Sequence, residues 1–388
     1  MKRRSFLRIG AITAASLAQR ARGQTERRNI LSNAARLDAA ALDRIARRVP
    51  EIMRERAVPG VSIAIISDGQ LIWQRSFGVS DATTQHRVDA HTVFEAASVS
   101  KTVFAYMALK LCERDTLRLD APLTESSKTR FVENDRRIDR VTARQALSHT
   151  TGFPDWRSAT LLKFDTDPGK RFNYSGEGYF YLQSVITDLV GRRHATPCGR
   201  YEGDLEVCAT DFDEMMRRSL LDPLGMKESG YQWREPWERI AARPHDIKGQ
   251  PLPKKKPNAA DIARYGAVGE LRTTPADYAK FLLAVLNRSR GDALLDGPMW
   301  TEMIRPQVKL DPAVKIDGAN SWALGWAVQE RSTGPVILHS GGQAGFRALT
   351  MASVERKSGF VIFTNSDSGG FVCDDEQLGT LLTPLLAG

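Results

Sequence analysis

A mixed α/β (α+β) fold is predicted, with one antiparallel sheet built from both ends of the chain, flanked by helices and interrupted by an inserted helical lobe. Three observations predict it. Two apolar runs, residues 61–66 and 71–77, are separated by Ser67-Asp68-Gly69-Gln70, whose Asp-Gly step is a strong hairpin signal. Three further strand-like runs, 336–339, 346–354 and 360–364, close the chain, and the last two are joined by the polar turn Glu355-Arg356-Lys357-Ser358-Gly359. The stretch between these groups reads as helix and loop, so strands from the two ends must share one sheet, with a cleft where the lobes meet.

The elements follow in order. Leu42, Ile45, Val49, Ile52 and Met53 form one helical stripe ended by Pro59-Gly60, with Pro50 expected to kink or restart it. Residues 102–112 form an apolar-rich helix with Ser98 near its start. Thr274-Pro275-Ala276-Asp277 supplies an N-cap, a proline at the first helical position and an acid at the third, opening a helix that runs through Leu286. Residues 249–257, with Lys254-Lys255-Lys256, read as a solvated loop, and 374–386 as a helical tail. The boundaries expected are a leader over 1–23, a linker over 24–35 and one large domain over 36–388. Its sheet lobe comprises 36–97 and 265–388, and its helical lobe 98–264.

Composition excludes several classes. The 388 residues, 42% hydrophobic and 26% charged, suffice for a large core. The net charge of +9 is concentrated at the start: Lys2, Arg3, Arg4, Arg8, Arg20 and Arg22 stand in residues 1–23 without an acid. The +3 left for the rest gives no footprint for nucleic acid. The basic run Lys2-Arg3-Arg4-Ser5-Phe6-Leu7-Arg8, a weakly apolar stretch over 9–18 and the small residues Ala21 and Gly23 resemble a twin-arginine export signal. A periplasmic or secreted location without stable membrane insertion is therefore expected, since about 20 apolar residues are needed to span a bilayer. Four cysteines, Cys112, Cys198, Cys208 and Cys373, are too few for a disulfide scaffold. Cys198 and Cys208 flank a Gly- and charge-rich stretch, and with His194 they match no zinc spacing, so a disulfide is favoured over a metal. No phosphate loop or dinucleotide fingerprint is present, and no cofactor is expected.

The chemistry centres on Ser98-Val99-Ser100-Lys101. Residues three apart on a helix share a face, which places the Lys101 amine beside the Ser98 hydroxyl. A serine is a weak nucleophile unless a base takes its proton, and a lysine serves only when burial or nearby cations lower its pKa. With 25 serines and 15 lysines in the chain, chance alone supplies such a spacing, so its companions decide. Asp167-Pro168-Gly169-Lys170-Arg171-Phe172-Asn173-Tyr174-Ser175 offers a turn that swings the Tyr174 hydroxyl toward the cleft. His339-Ser340-Gly341-Gly342 closes an apolar strand where backbone N–H groups can meet an oxyanion. No G-x-S-x-G occurs. His149, directly after Ser148, invites a Ser/His/Asp triad but reads as a turn residue at a helix end. Trp322 and Trp326 read as core or cleft wall.

These motifs together resemble the class C β-lactamase and low-molecular-mass penicillin-binding-protein family, with its DD-peptidases, D-aminopeptidases and esterases. The resemblance runs from about residue 36 to the end. It also rests on Val58-Pro59-Gly60, Leu147-Ser148-His149-Thr150-Thr151-Gly152, Asp222-Pro223-Leu224-Gly225-Met226, residues 266–274, Leu324-Gly325-Trp326 and the continuation Gln343-Ala344-Gly345-Phe346. It implies a β-lactamase/transpeptidase-like fold and an acyl-enzyme on Ser98, with Lys101 and Tyr174 sharing the proton traffic as a coupled pair. It also implies backbone N–H groups of Ser98 and Gly342 as the oxyanion hole, a role for His339, Ser340 and Gly341 in binding substrate, and no metal. Two positions depart from the family pattern: Gly176 stands where an asparagine is usual, and His339 where true β-lactamases carry lysine. A neutral imidazole offers no permanent cation to a substrate carboxylate. The expected substrate is therefore a small ester or D-amino-acid amide ahead of a β-lactam. A true β-lactamase or DD-carboxypeptidase is the alternative within the enzymes, and an idle member of the fold that binds peptidoglycan or a protein is the alternative outside them. The oligomeric state is left open.

Overall fold

The computed structural model describes residues 37–158, 161–191, 205–287 and 294–387. The leader and linker over 1–35 and the residues His194 and Cys198 lie outside them. Helix α1 (Ala39–Glu55) is capped by Asp38, whose side chain accepts from Ala41 N. It runs through Pro50 without the expected break. The proline forfeits one helical hydrogen bond, but Ile45, Val49, Ile52 and Met53 are all buried against the sheet, and that packing holds the helix continuous.

Strands β1 (Gly60–Ser67) and β2 (Gln70–Asp81) form the expected hairpin, with Asp68 and Gly69 at φ 51° and 73° in the turn. Short β3 (His86–Arg87) borders β2, and β4 (Phe94–Glu95) leads to the cleft. Helices α2 (Ser100–Glu113), α3 (Gly176–Ile186), α4 (Leu205–Met216) and α5 (Ala259–Gly269) fill most of the insertion before β5 (Arg272–Thr273), which pairs with β4. Helix α6 (Pro275–Leu286) starts as its sequence predicts, with Asp277 N donating to Thr274 Oγ1 at 3.1 Å. Then come α7 (Gly297–Ile304), the short strands β6 (Val308–Lys309), β7 (Ser321–Trp322) and β8 (Ala327–Gln329), the long strands β9 (Val336–Gln343), β10 (Phe346–Ser353) and β11 (Ser358–Thr364), and α8 (Glu376–Leu386).

The main sheet is antiparallel, in the order β3-β2-β1-β11-β10-β9-β8-β7-β6. The N-terminal hairpin thus pairs with the last strand, Val61 lying opposite Thr364. Alternation along β1 divides the core into two layers. Ile63 and Ile65 pack with Val49 and Ile52 of α1 and Leu382 of α8, while Ala64 and Ile66 face the helices of the insertion. The architecture is the expected one, a large antiparallel sheet flanked by helices. Strand β9 extends through the whole His339-Ser340-Gly341-Gly342 motif instead of ending at His339. The 249–257 loop is fastened more firmly than a solvated loop requires: Lys254 Nζ donates to Glu238 O at 3.1 Å and Lys255 pairs with Asp261. Cys208 is buried and disulfide-bonded, and Cys112 and Cys373 are free thiols.

Candidate active site

Ser98 sits on a 3-10 turn, Ala97–Val99, immediately before α2. The turn is reached through β4, whose exit is fixed by Ala96 N donating to Leu271 O at 2.9 Å. Ala97 is held at φ 47°, a strained conformation for a residue with a Cβ, directly beside the serine. From the opposite side Gly341 of β9 comes so close that a Cβ there would lie 3.1 Å from Ser98 N and 2.8 Å from Ala96 O. Only glycine permits this approach, and it sets the backbone of Gly341 and Gly342 against the nucleophile turn.

One turn into α2, Lys101 is 1% exposed. Its Nζ lies 3.1 Å from Ser98 Oγ and donates to the Val268 carbonyl oxygen of α5 at 2.9 Å. The amine also sits over the rings of Tyr174, at 5.0 Å, and Tyr179, at 5.8 Å. Burial among these groups pushes it down to about 7, against a weaker upward pull from Asp155. A lysine in that state is an available base at neutral pH.

Tyr174 is half-buried on the cleft wall, and burial of its hydroxyl drives the phenol well above its ordinary value, against a weaker downward pull from Ser98. Its ring is clamped by His149, stacked at 4.2 Å between centroids, and by the edge of Trp322 at 5.8 Å. His149 occupies a left-handed position, φ 56°, after the short helix Ala143–Leu147, as a turn residue should. Its Nδ1 accepts from Ser175 N at 3.0 Å, so the ring proton resides on Nε2, which has no partner among the described residues. The pattern thus located the histidine's backbone role but missed that it backs the tyrosine. Trp322 is cleft wall, whereas Trp326 is buried core stacked on Phe281.

His339 of β9 completes the site. Its Nδ1–H donates to Ser340 O at 2.7 Å, leaving Nε2 as an acceptor without a partner among the described residues. Burial, then Lys101, holds it down to about 3, so it is neutral at any physiological pH. Ser98, Tyr174, Trp322, His339, Ser340 and Gly342 open onto one cleft of about 520 Å³.

The family model described as Beta-lactamase matches residues 45–382. The chain belongs to this family. It is 28% identical to the esterase EstB of Burkholderia gladioli over 58% of this chain and 60% of that protein. It is likewise 28% identical to a β-lactamase of Lysobacter lactamgenus over 73% of this chain and 65% of that one. The chain therefore spans less than two thirds of the length of these curated relatives. In structure it is similar to a class C β-lactamase, with a TM-score of 0.69 at 16% identity, covering 89% of this chain and 96% of that one. It is also similar to a penicillin-binding-protein homologue from Pyrococcus abyssi, with a TM-score of 0.68 at 22% identity, covering 84% and 74%. At those identities the structural likeness speaks for the fold alone.

Within this β-lactamase-family site, several residues carry no motif signal. Arg347 of β10 lies opposite Gly342 in register and enters the same cleft, paired with Asp367 at 3.0 Å. Asp317 and Asp374 line its mouth. The Asp374 carboxyl is raised by burial and by Asp317. Asp155 and Trp156 lie over the start of α3. Arg347 was within reach of the sequence, because a two-residue Ala344-Gly345 hairpin loop sets Gly342 opposite residue 347.

Proposed function

We propose that the protein is a serine hydrolase that cleaves small esters, and D-amino-acid amides less readily, through an acyl-enzyme on Ser98. The observation that carries this reading is the Lys101 amine, 3.1 Å from Ser98 Oγ and held at about 7 with no carboxylate bonded to it among the described residues. In the first step Ser98 Oγ bonds the substrate carbonyl carbon and its proton passes to Lys101 Nζ. The carbonyl electron pair moves onto oxygen, where the Ser98 and Gly342 backbone N–H groups receive it; losing one such donor costs about 3 kcal/mol of transition-state stabilisation. Collapse breaks the bond to the leaving alcohol or amine, which takes the proton back by way of the Tyr174 hydroxyl. Water repeats the sequence on the acyl-enzyme and frees the acid and Ser98.

Lys101 is the base in this scheme and Tyr174 the relay, because burial favours the neutral form of both, and only a neutral amine can accept a proton. The ranking of substrates follows from His339, a neutral group where a carboxylate-bearing β-lactam would find a cation. Incubation with a fluorophosphonate followed by intact-mass and peptide analysis tests the proposal. A single adduct on Ser98, absent in Ser98→Ala, supports it, and an ester, anilide and cephalosporin panel then ranks the substrates. A folded protein that takes no adduct refutes it and leaves a binding role. Export by a twin-arginine route is proposed separately from Arg3 and Arg4. Their replacement by lysine should abolish accumulation in the periplasm, and unaltered accumulation would refute it.

A further inference from the structure

Behind the nucleophile turn, β4 and β5 meet around a cluster of charges that the proposed chemistry does not use. Glu95 of β4 lies directly opposite Arg272 of β5. Arg272 Nη2 donates to Glu95 Oε1 at 2.9 Å and Nη1 to Glu270 Oε2 at 3.3 Å, so one guanidinium spans two carboxylates. The cluster lies almost wholly out of water, with Arg272 2% exposed and Glu270 5%. Burial raises the Glu95 carboxyl against the pull of Arg272, which shows what enclosure costs it. The Arg272 backbone exchanges hydrogen bonds with Gly230 at 2.9 and 3.0 Å, and its guanidinium lies 5.9 Å from the Trp233 ring. Stability gives little reason for such a set, because apolar residues of similar volume often serve as well as a buried ion cluster or better. What the charges add is direction, since a flat guanidinium bonds only where its fixed donors point.

Each member is tied to a different working part of the site. Glu95 is followed by Ala96, whose N–H donates to Leu271 O at 2.9 Å, and then by the strained Ala97 and Ser98. Leu271, between Glu270 and Arg272, donates its own N–H to Ser100 Oγ at 3.1 Å, at the start of α2. Glu270 stands where α5 ends, two residues beyond the Val268 carbonyl that binds Lys101. Its Oε1 accepts from Gln343 Nε2 at 3.4 Å, and Gln343 directly follows Gly342 on β9. The Gln343 amide runs close behind the nucleophile: a Cβ on Gly269 would lie 3.5 Å from its Oε1 and 3.8 Å from Ala97 C. One guanidinium thus joins the serine turn, the segment that binds the base amine and the strand that offers the Gly342 N–H. These segments are remote in sequence, so no local turn sets their spacing, and a misplacement of about 1 Å can cost about 10²-fold in rate.

We propose that Arg272 and Glu270 are positioning residues that hold Ser98, Lys101 and the Gly342 N–H in register for attack. The proposal rests on the serine-hydrolase reading above. Glu270→Ala leaves Arg272 its pair with Glu95, so the fold should survive, while the bonds from Arg272 and Gln343 to the Glu270 carboxylate are lost. With a neutral nitrophenyl ester, kcat should fall about 10- to 100-fold while KM moves by less than about threefold. Labelling of Ser98 by fluorophosphonate should slow in parallel. The acid-side midpoint of kcat/KM should stay at about 7, since Lys101 keeps its burial. Glu270→Gln, whose amide oxygen still accepts from Arg272, should restore most of kcat. Arg272→Lys, a point cation without the fork that spans both carboxylates, should lose kcat as Glu270→Ala does. If folded Glu270→Ala and Arg272→Lys turn over as fast as wild type, the positioning role is refuted and the hydrolase reading stands. A loss that Glu270→Gln does not restore refutes it too, as does a shifted midpoint, which would mean that the cluster acts on the base. Should Glu270→Ala not fold, Arg272→Lys and Glu270→Gln decide the question through the same split between kcat and KM. If wild-type Ser98 takes no adduct, the hydrolase reading itself fails.

Discussion

The floor and the mouth of the cleft carry similar kinds of groups under opposite conditions. At the floor, Lys101 is enclosed by Tyr174, Tyr179 and a backbone carbonyl, with no ion pair among the described residues, and burial brings its charged and neutral forms into balance near neutral pH. At the mouth, Arg347 keeps a partner in Asp367, and Asp317 and Asp374 stand exposed. The floor therefore makes a reactive base by excluding water, and the mouth keeps its ions by admitting water and counter-charges. On the proposed mechanism the reacting chemistry belongs to the dry half and the adjustable recognition to the wet half.

The comparison breaks first, and most severely, at Lys101. Lys101→Arg keeps a long cationic side chain but can never lose its proton. Turnover should fall by about 10³-fold or more, within the range by which acid–base groups contribute, with fluorophosphonate labelling of Ser98 slowed alongside. Substantial turnover by this variant would show that the neutral amine is not the base.

The same contrast fixes the pH profile. The Lys101 value lies below that of an ordinary lysine, so the active neutral form is lost as pH falls through about 7. The measurement is kcat/KM between pH 5 and 9: it should drop about tenfold per unit below that point and be level above it. His339, held at about 3, contributes no second limb in this window. Moderate salt should scarcely move the midpoint, because a buried group is poorly screened. A midpoint near 10 would mean that the floor is wetter than its burial implies.

His149 sharpens the boundary between reacting and supporting groups. His149→Phe preserves a ring against Tyr174 but forfeits the bond from Ser175 N. A loss of about 1–3 kcal/mol in stability, read by denaturant unfolding, is expected for leaving that buried N–H unpaired. Activity should stay within about tenfold, since the ring positions the tyrosine without transferring a proton. Collapse to the level of Ser98→Ala would instead make His149 part of a triad.

The floor was more legible in the sequence than the mouth for a physical reason. Ser98 and Lys101 meet because one helical turn brings them together, and the Asp68-Gly69 hairpin and the Thr274 cap are equally local. Trp156 and Gly176 meet only because the 154–157 segment folds onto the start of α3, a contact between residues twenty apart that no periodicity announces. His149 shows the intermediate case: its turn was readable from its place at a helix end, and its stacking on Tyr174 was not. Pro50 shows the reverse, a local signal for a break that the burial of one helix face overrode.

The smallest effect is expected at the mouth, from Arg347→Ala. Arg347 is about one-third exposed and already neutralised by Asp367, so its loss removes a solvent-screened pair and no base. The kcat for a neutral ester should be unchanged and KM should move by no more than about fivefold, the kinetic equivalent of about 1 kcal/mol. Asp367 would keep its bond from Gly345 N, so the β9–β10 turn should survive. With a substrate bearing a carboxylate the same variant becomes decisive. A rise in KM beyond a hundredfold would mean that Arg347 leaves Asp367 to bind the substrate anion and supplies the cation that His339 lacks. The wet half of the cleft would then select substrates by charge as firmly as the dry half sets the base.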